Sequence, residues 1–161
     1  PRACIVTATD ASPVEAAPSP DEPAGLGALR RRFADGPPVP VAELLGMRPE
    51  VVEAGTVTFV CEASPRFANP MGTVHGGIIA TLLDSALGCA VQSVLPEGTA
   101  YTTLGLEVKY LRPVPVDAGP LRARATVVHA GRRQATAEGR LTDDAGRVLA
   151  TATTTCLVLG P

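Results

Sequence analysis

The sequence has no tryptophan, only 3% aromatic residues and two histidines among 161 residues. Without aromatic side chains, a surface offers no platform on which nucleic-acid bases stack. The formal net charge is −2, so no excess of basic residues favours nucleic acid or an anionic membrane. We therefore expect no nucleic-acid partner and a core built from aliphatic side chains.

Metal-binding and disulfide patterns are also absent. The four cysteines, at positions 4, 61, 89 and 156, show no Cys-x-x-Cys spacing, and only His75 and His129 could join them as ligands. No zinc site is indicated, and we expect no metal. Cys89 and Cys156 lie in apolar runs, which is typical of buried thiols in a reducing compartment. This pattern favours a cytoplasmic protein.

No apolar run predicts a membrane span, because the longest one contains Asp84 and several glycines. Residues 1–24 contain five prolines and no apolar period, which indicates a flexible N-terminal arm. The remaining chain, 25–161, has the length of one domain, with a core over about 50–159.

Hydrophobic periodicity predicts a long helix over 75–95 followed by strands that mostly form hairpins. A short helix, 26–33, would present three arginines to solvent. In the strand 101–111, strict alternation places Thr102 on the same apolar face as Leu106 and Val108. With a first strand at 51–61 and later strands near 121–127, 132–141 and 147–159, the pattern predicts an α+β fold. Its antiparallel sheet would wrap around one long central helix.

The long helix carries a single carboxylate, Asp84, on a face that is otherwise made of small residues. A solvent-facing helix would normally present Lys, Glu or Arg there. A substrate or a partner subunit is therefore expected to pack close to Asp84. The alternative, a structural hydrogen bond or ion pair of Asp84 inside the fold, remains open.

Gly76 and Gly77 begin this helix, so its first backbone N–H groups are not covered by side chains. These amides are unsatisfied donors at the positive end of the helix dipole. Together with Asn69 just upstream, they could stabilise a developing oxyanion, while Asp84 could act as a base towards water. Acyl-transfer chemistry needs both functions. Ser85 has no histidine relay in its sequence context, which argues against a serine hydrolase.

These residues resemble the hotdog-fold acyl-CoA thioesterases, and in particular the PaaI-like group that takes its name from phenylacetic acid degradation. The resemblance covers about 50–159. It is carried by three motifs: Asn69-x5-His75-Gly76-Gly77-x6-Asp84, Tyr110-Leu-Arg112-Pro113 and His129-Ala-Gly131-Arg132.

The resemblance implies a hotdog fold and a thioesterase site. In such a site the Gly76 N–H and the Asn69 side chain polarise the thioester carbonyl. Asp84 acts as general base or nucleophile, and Thr102, from the strand of the partner subunit, helps to position the water. His75 is expected to support the loop by hydrogen bonding to Asn69 or nearby backbone. No cofactor is expected, because CoA is part of the substrate.

The phosphates of CoA call for local cations. The sequence candidates are Lys109, Arg112, Arg132 and Arg133, and the resemblance favours the three arginines, with Gly77 as a further contact to substrate. The small-residue face of the helix favours a homodimer, and we expect dimers to pair into a homotetramer.

Two other functions remain open at this point. One is a hotdog dehydratase or hydratase acting on acyl thioesters, and the other is a non-catalytic acyl-CoA-binding protein in which Asp84 is structural. The acyl group is also open, since aryl-acetyl, hydroxybenzoyl and medium-chain groups are all compatible with the sequence.

Overall fold

The computed structural model describes residues 22–160, so most of the predicted arm lies outside the described residues. The helices and strands are α1 (Ala24–Ala34), α2 (Pro40–Leu45), β1 (Arg48–Glu53), β2 (Thr56–Glu62), α3 (Gly76–Gln92), β3 (Ala100–Tyr110), β4 (Pro120–Ala130), β5 (Gln134–Thr142) and β6 (Val148–Leu159). The last residue of the predicted arm, Ala24, begins α1.

The six strands form one antiparallel sheet in the order β1-β2-β4-β5-β6-β3. This sheet packs against α3, and the predicted α+β fold with a long central helix is confirmed. The prediction of a single first strand over 51–61 was wrong, because β1 and β2 form a hairpin there. Gly55 supplies the positive φ, 74°, that its tight turn requires.

The core lies between the sheet and one face of α3. Leucines dominate this face, and Leu83 and Leu87 have no solvent exposure. Alanines on β4 and β5, such as Ala123 and Ala137, are small enough to let the helix approach the sheet closely. The core is therefore aliphatic, as the composition predicts.

The helix α1 packs against the C-terminal end of α3. The Gly25 N–H donates to the Leu95 carbonyl oxygen at 3.1 Å. A Cβ at Gly25 would lie only 2.3 Å from the Gln92 carbonyl oxygen, so the backbones approach too closely for any other residue. The opposite face of α3 is thus partly covered by this chain itself.

The prediction that all three arginines of α1 form a solvated face was wrong for Arg30. Its guanidinium donates to the Val52 carbonyl oxygen, at 3.0 Å from Nη2, and pairs with Glu22. Arg30 therefore ties α1 to strand β1.

A bulge in β3 changes which residues face α3. The pairing with β6 shifts between Thr103 and Gly105, so that Leu104 is an extra residue and is 62% exposed. Before the bulge, Thr103 faces the helix and Thr102 is exposed. The placement of Thr102 on the apolar face with Leu106 was therefore wrong, because strict alternation does not hold across the bulge.

Candidate active site

Asp84 lies in the third turn of α3 and is half-buried. The Thr103 hydroxyl donates to Asp84 Oδ1 at 3.2 Å, and this is the only hydrogen bond of the carboxylate within residues 22–160. No cation in that part of the chain lies within salt-bridge distance of it. The structure thus shows no ion pair that would explain Asp84 as a purely structural acid.

Sequence reasoning missed Thr103. The residue occupies the inward position only because the bulge follows it. A glycine inside a strand pattern is a known signal for a bulge, and Gly105 provides that signal here.

Cys89 and Tyr101 are titratable groups close to Asp84. Burial, and secondarily the charge of Asp84, raises the pKa of the Cys89 thiol to about 12. Burial is also the main cause that raises the pKa of Tyr101, with smaller contributions from Cys89, Cys156 and Asp84. Both groups stay protonated near neutral pH, so neither one supplies a nucleophile.

His75 caps the N-terminus of α3. Its Nδ1 accepts the N–H of Gly77 at 2.9 Å, and its carbonyl oxygen accepts the N–H of Ile78 at 3.0 Å. This contact with nearby backbone is of the kind expected for a supporting histidine. It also engages Gly77, the amide that the sequence assigned to substrate contact.

The Gly76 N–H, by contrast, makes no hydrogen bond in the described part of the chain. Tyr110 fixes this first turn from the side, since its hydroxyl donates to the Gly76 carbonyl oxygen at 2.9 Å. A Cβ at Gly76 would lie 3.1 Å from Tyr110 Cζ. Of the two glycine amides, only that of Gly76 is available to bind a carbonyl oxygen. The role of Tyr110 as its support was not predicted.

Asn69 organises the loop before α3. Its Oδ1 accepts the N–H groups of Met71 and Thr73, at 2.9 and 3.2 Å, and its Nδ2 donates to the Thr73 hydroxyl at 2.9 Å. An amide nitrogen carries two hydrogens, so one Nδ2 hydrogen remains for a ligand. The predicted contact with a thioester carbonyl rests on that single N–H.

The two main predicted groups are not adjacent within one chain. Gly76 and Asp84 are eight residues apart on α3, which corresponds to about 12 Å along the helix axis. Their positions beside β3 agree with this separation, because Gly76 contacts Tyr110 at the end of the strand and Asp84 contacts Thr103 near its start. A single carbonyl group cannot bind to both groups of one chain.

The predicted cations are also far apart. Arg112 follows the end of β3, where its guanidinium donates to the Val148 carbonyl oxygen. The turn 131–133 lies near the start of β3, because Leu157 on β6 pairs with both Gln134 and Thr102. Eight residues of extended strand separate these levels, or about 26 Å. Within one chain the three arginines do not form one phosphate site.

Within the described part of the chain, no group of three or more His, Cys, Asp or Glu side chains is placed to hold a metal ion. None of the helices within residues 22–160 has both the length and the hydropathy of a membrane-spanning segment. The absence of a cofactor stays a prediction.

Comparisons with known proteins give a consistent result. A family model described as the thioesterase superfamily matches residues 71–150. The solved structure of a phenylacetic acid degradation-related protein from Ralstonia eutropha is 36% identical. The match covers 80% of this chain and 98% of that chain, with a TM-score of 0.73.

Two curated relatives also carry the names of ester or thioester hydrolases. A 1,4-dihydroxy-2-naphthoyl-CoA hydrolase of Listeria monocytogenes is 27% identical over 108 residues, which are 66% of this chain and 85% of that protein. A Halobacterium salinarum protein whose esterase name is provisional is 49% identical over 69 residues. Those residues are 42% of this chain and only 44% of that protein.

Proposed function

Because this chain belongs to the hotdog-fold thioesterase family, we propose that it hydrolyses acyl-CoA thioesters to the free acid and CoA. In this reaction the oxygen of water bonds to the thioester carbon, the C–S bond breaks, and the CoA sulfur leaves as a thiol after taking up a proton. The observation that carries the proposal is the carboxylate of Asp84, which has one neutral hydrogen bond and no cation partner within residues 22–160.

Asp84 acts as the general base or nucleophile. A positioned carboxylate base contributes typically about 10²–10⁴-fold to such a reaction. The hydroxyl of Thr103 orients the carboxylate and leaves Oδ2 free to face water or the thioester carbon.

The Gly76 N–H stabilises the oxyanion that forms at the carbonyl oxygen. Its position at the first turn of α3 adds the favourable end of the helix dipole. Because Gly76 and Asp84 of one chain are about 12 Å apart along α3, each site combines Asp84 of one protomer with Gly76 of another.

A homodimer formed through β3 supplies this combination. Among residues 22–160 the strand β3 is an edge of the sheet, so one side of its backbone has no strand partner there and can pair with another chain. Exposed apolar side chains follow this edge and the nearby loop: Met71, Leu104, Tyr110 and Leu111. A twofold axis would pair the two β3 strands antiparallel and set the start of one strand opposite the end of the other.

This pairing brings the separated groups together. It places Asp84 and Thr103 of one chain near the Gly76 end of its partner, and the turn 131–133 near the partner's Arg112. The exposed Thr102 would then lie at the interface, where it can help to position water. The arginines would bind the CoA phosphates, and further pairing into tetramers remains a prediction, as does a cytoplasmic location.

The test is an assay of CoA-thiol release from a panel of aryl and aliphatic acyl-CoA thioesters, with the wild-type protein and Asp84→Asn in parallel. We expect release by the wild type and a loss of at least about 10²-fold in the variant, with binding of the thioester retained. Absence of release from every thioester by folded wild-type protein would contradict the proposal, and formation of enoyl-CoA would instead identify a dehydratase.

A further inference from the structure

A pocket with a volume of about 320 Å³ lies between α3 and the segment 32–49. This segment runs from the end of α1 through α2 to the start of β1. Asp84 forms part of its wall. The volume is at the lower end of the range of about 300–1,000 Å³ that is typical of small-molecule sites. The pocket therefore has room for one compact group next to the proposed catalytic carboxylate.

The wall opposite α3 is apolar. It is formed by Phe33, Val41, Ala42, Met47 and Phe59. The phenyl rings of Phe33 and Phe59 pack edge to face with their centroids 5.7 Å apart. One side of the pocket is therefore an aromatic surface.

Two apolar side chains of α2 differ in their position relative to the pocket. Val41 lines the pocket and is 41% exposed, whereas Leu44, on the same helix, is 65% exposed and lies outside the pocket. A ligand in the pocket would remove the apolar surface of Val41 from water, and that burial favours binding.

The pocket extends in one direction from Asp84. The α3 residues that line it are Asp84, Ser85 and Cys89, and none precedes Asp84. From Asp84 to Cys89 the helix rises about 7.5 Å. A group with its carbonyl carbon at Asp84 would thus extend towards the C-terminal end of α3, beneath α1 and α2.

Two of the polar groups in the lining already have partners within this chain. The Ser85 hydroxyl already donates to the Thr81 carbonyl oxygen at 2.9 Å, and Arg32 is held by the Pro37 carbonyl oxygen. The Cys89 thiol and the Tyr101 hydroxyl are neutral at pH 7 because burial raises the pKa of both groups. An uncharged, largely apolar group fits this lining best.

We propose that segment 32–49 forms the acyl pocket of the enzyme and selects aromatic or medium-length aliphatic acyl groups. This inference rests on the proposed thioesterase function, because it takes Asp84 as the place of the carbonyl carbon. Residues from outside the core predicted at about 50–159 thereby determine which acyl group is hydrolysed.

The test compares Val41→Trp, which fills the pocket, with Leu44→Trp, which adds the same side chain to the same helix outside it. With octanoyl-CoA and phenylacetyl-CoA, we expect kcat/KM of Val41→Trp to fall by about tenfold or more. Acetyl-CoA, which does not reach into the pocket, should be hydrolysed within about twofold of wild type, as should all three substrates by Leu44→Trp. An equal loss for all three substrates with Val41→Trp, or none, would overturn the proposal.

A second readout does not depend on turnover. Octanamide and phenylacetamide, neutral analogues of the two acyl groups, should bind to wild-type protein and Leu44→Trp in calorimetric titrations, and about tenfold or more weakly to Val41→Trp. If the wild type hydrolyses no thioester but this binding pattern holds, the proposed function fails while the pocket stands. If thioesters are hydrolysed but the two amides bind equally to all variants, or to none of them, only the pocket assignment fails. Should Val41→Trp not fold, Val41→Ala, which widens the pocket, should raise kcat/KM for longer acyl chains relative to octanoyl-CoA.

Discussion

The turn between β5 and β6 holds a buried aspartate, and the middle of α3 holds a half-buried one. In the turn, Asp143 is 6% exposed and accepts hydrogen bonds from the Arg147 N–H and Nε, at 2.9 and 2.7 Å. In the helix, Asp84 accepts one hydrogen bond from the described residues, donated by the Thr103 hydroxyl at 3.2 Å. Asp143 shows how this chain satisfies a structural carboxylate from its own turn. Asp84, by contrast, has most of its lone pairs available to accept hydrogen bonds from a ligand or water.

The first turn of α3 repeats this contrast with two amides. His75 occupies the N–H of Gly77, whereas that of Gly76 has no acceptor within residues 22–160. The Gly76 amide can therefore donate a hydrogen bond to a ligand and the Asp84 carboxylate can accept one. Acyl-transfer chemistry needs both kinds of group.

The difference between Asp84 and Asp143 predicts that removing the first charge lowers activity, whereas removing the second lowers stability. Asp84→Asn should lower kcat by about 10²–10⁴-fold and leave the thermal midpoint near that of the wild type, because an Asn side chain still accepts from Thr103. Asp143→Asn should lower the thermal midpoint and leave kcat/KM unchanged. Thiol-release assays and thermal denaturation of both variants measure this. A larger stability loss for Asp84→Asn than for Asp143→Asn would contradict it.

The stability effect at Asp143 should depend on pH. Burial alone would raise the pKa of Asp143, but hydrogen bonds from the Arg147 backbone and guanidinium outweigh burial and hold the pKa below its usual range. A carboxyl whose pKa is lowered by folding stabilises the protein above its unfolded-state pKa of about 3.9. The difference in thermal midpoint between wild type and Asp143→Asn should therefore be full at pH 7 and disappear as the pH falls below about 4.

The amide contrast can be tested at Gly76 with proline. Gly76→Pro deletes the N–H, whereas Gly76→Ala retains it, and both variants place a Cβ against Tyr110. Proline is tolerated at the first position of a helix, and His75, at φ −62° and ψ 134°, has the backbone conformation that a following proline requires. We expect kcat to be about 10²–10³-fold lower for Gly76→Pro than for Gly76→Ala.

Mixing two inactive variants would then show whether the site combines protomers. In heterodimers of Asp84→Asn and Gly76→Pro, one of the two sites has both an intact Asp84 and an intact Gly76. Random exchange makes half of the dimers mixed, so about a quarter of the wild-type activity should return. No recovery after verified subunit exchange would place both groups of each site in one chain.

One turn beyond Asp84, the surface of α3 is covered by Tyr101, which lies against Gly88. A Cβ at Gly88 would lie 2.0 Å from the Tyr101 hydroxyl and 2.6 Å from Tyr101 Cζ. Gly88→Ala should therefore lower the free energy of unfolding by about 1–3 kcal/mol through overpacking. Urea denaturation measures this loss. Adding Tyr101→Phe should restore only part of it, since the ring remains; full stability of Gly88→Ala would show that Tyr101 moves away freely.

The periodicity of the sequence was sufficient to predict α3, the antiparallel sheet and the place of Asp84. These features depend on local patterns, because an apolar stripe or an alternating strand is encoded within one segment. The motifs also pointed to Gly76 and His75, whose roles in catalysis stay predictions. The resemblance named the correct family without any knowledge of the fold.

Other features depend on contacts between distant segments. The bulge at Leu104 exchanged the expected positions of Thr102 and Thr103, because one extra residue reverses the side-chain alternation before the bulge relative to that after it. Arg30 and the pocket beneath α1 and α2 arise where residues before 50 meet β1 and α3. The separation of about 12 Å between Gly76 and Asp84 follows from counting residues along a helix. The inference that a site combines two protomers also requires knowing where each residue lies beside β3.

The smallest effect is expected at His75, where substitutions distinguish a helix-capping role from a catalytic one. If its Nδ1 only accepts the Gly77 N–H, His75→Ala should lower the free energy of unfolding by about 0.5–2 kcal/mol. His75→Asn, which substitutes another good capping side chain, should restore that stability and keep kcat near wild type. Urea denaturation and thiol-release assays of both variants decide between the two roles. A stable His75→Asn protein that has lost turnover would show that the imidazole transfers a proton, which neither the amide of asparagine nor the cap can do.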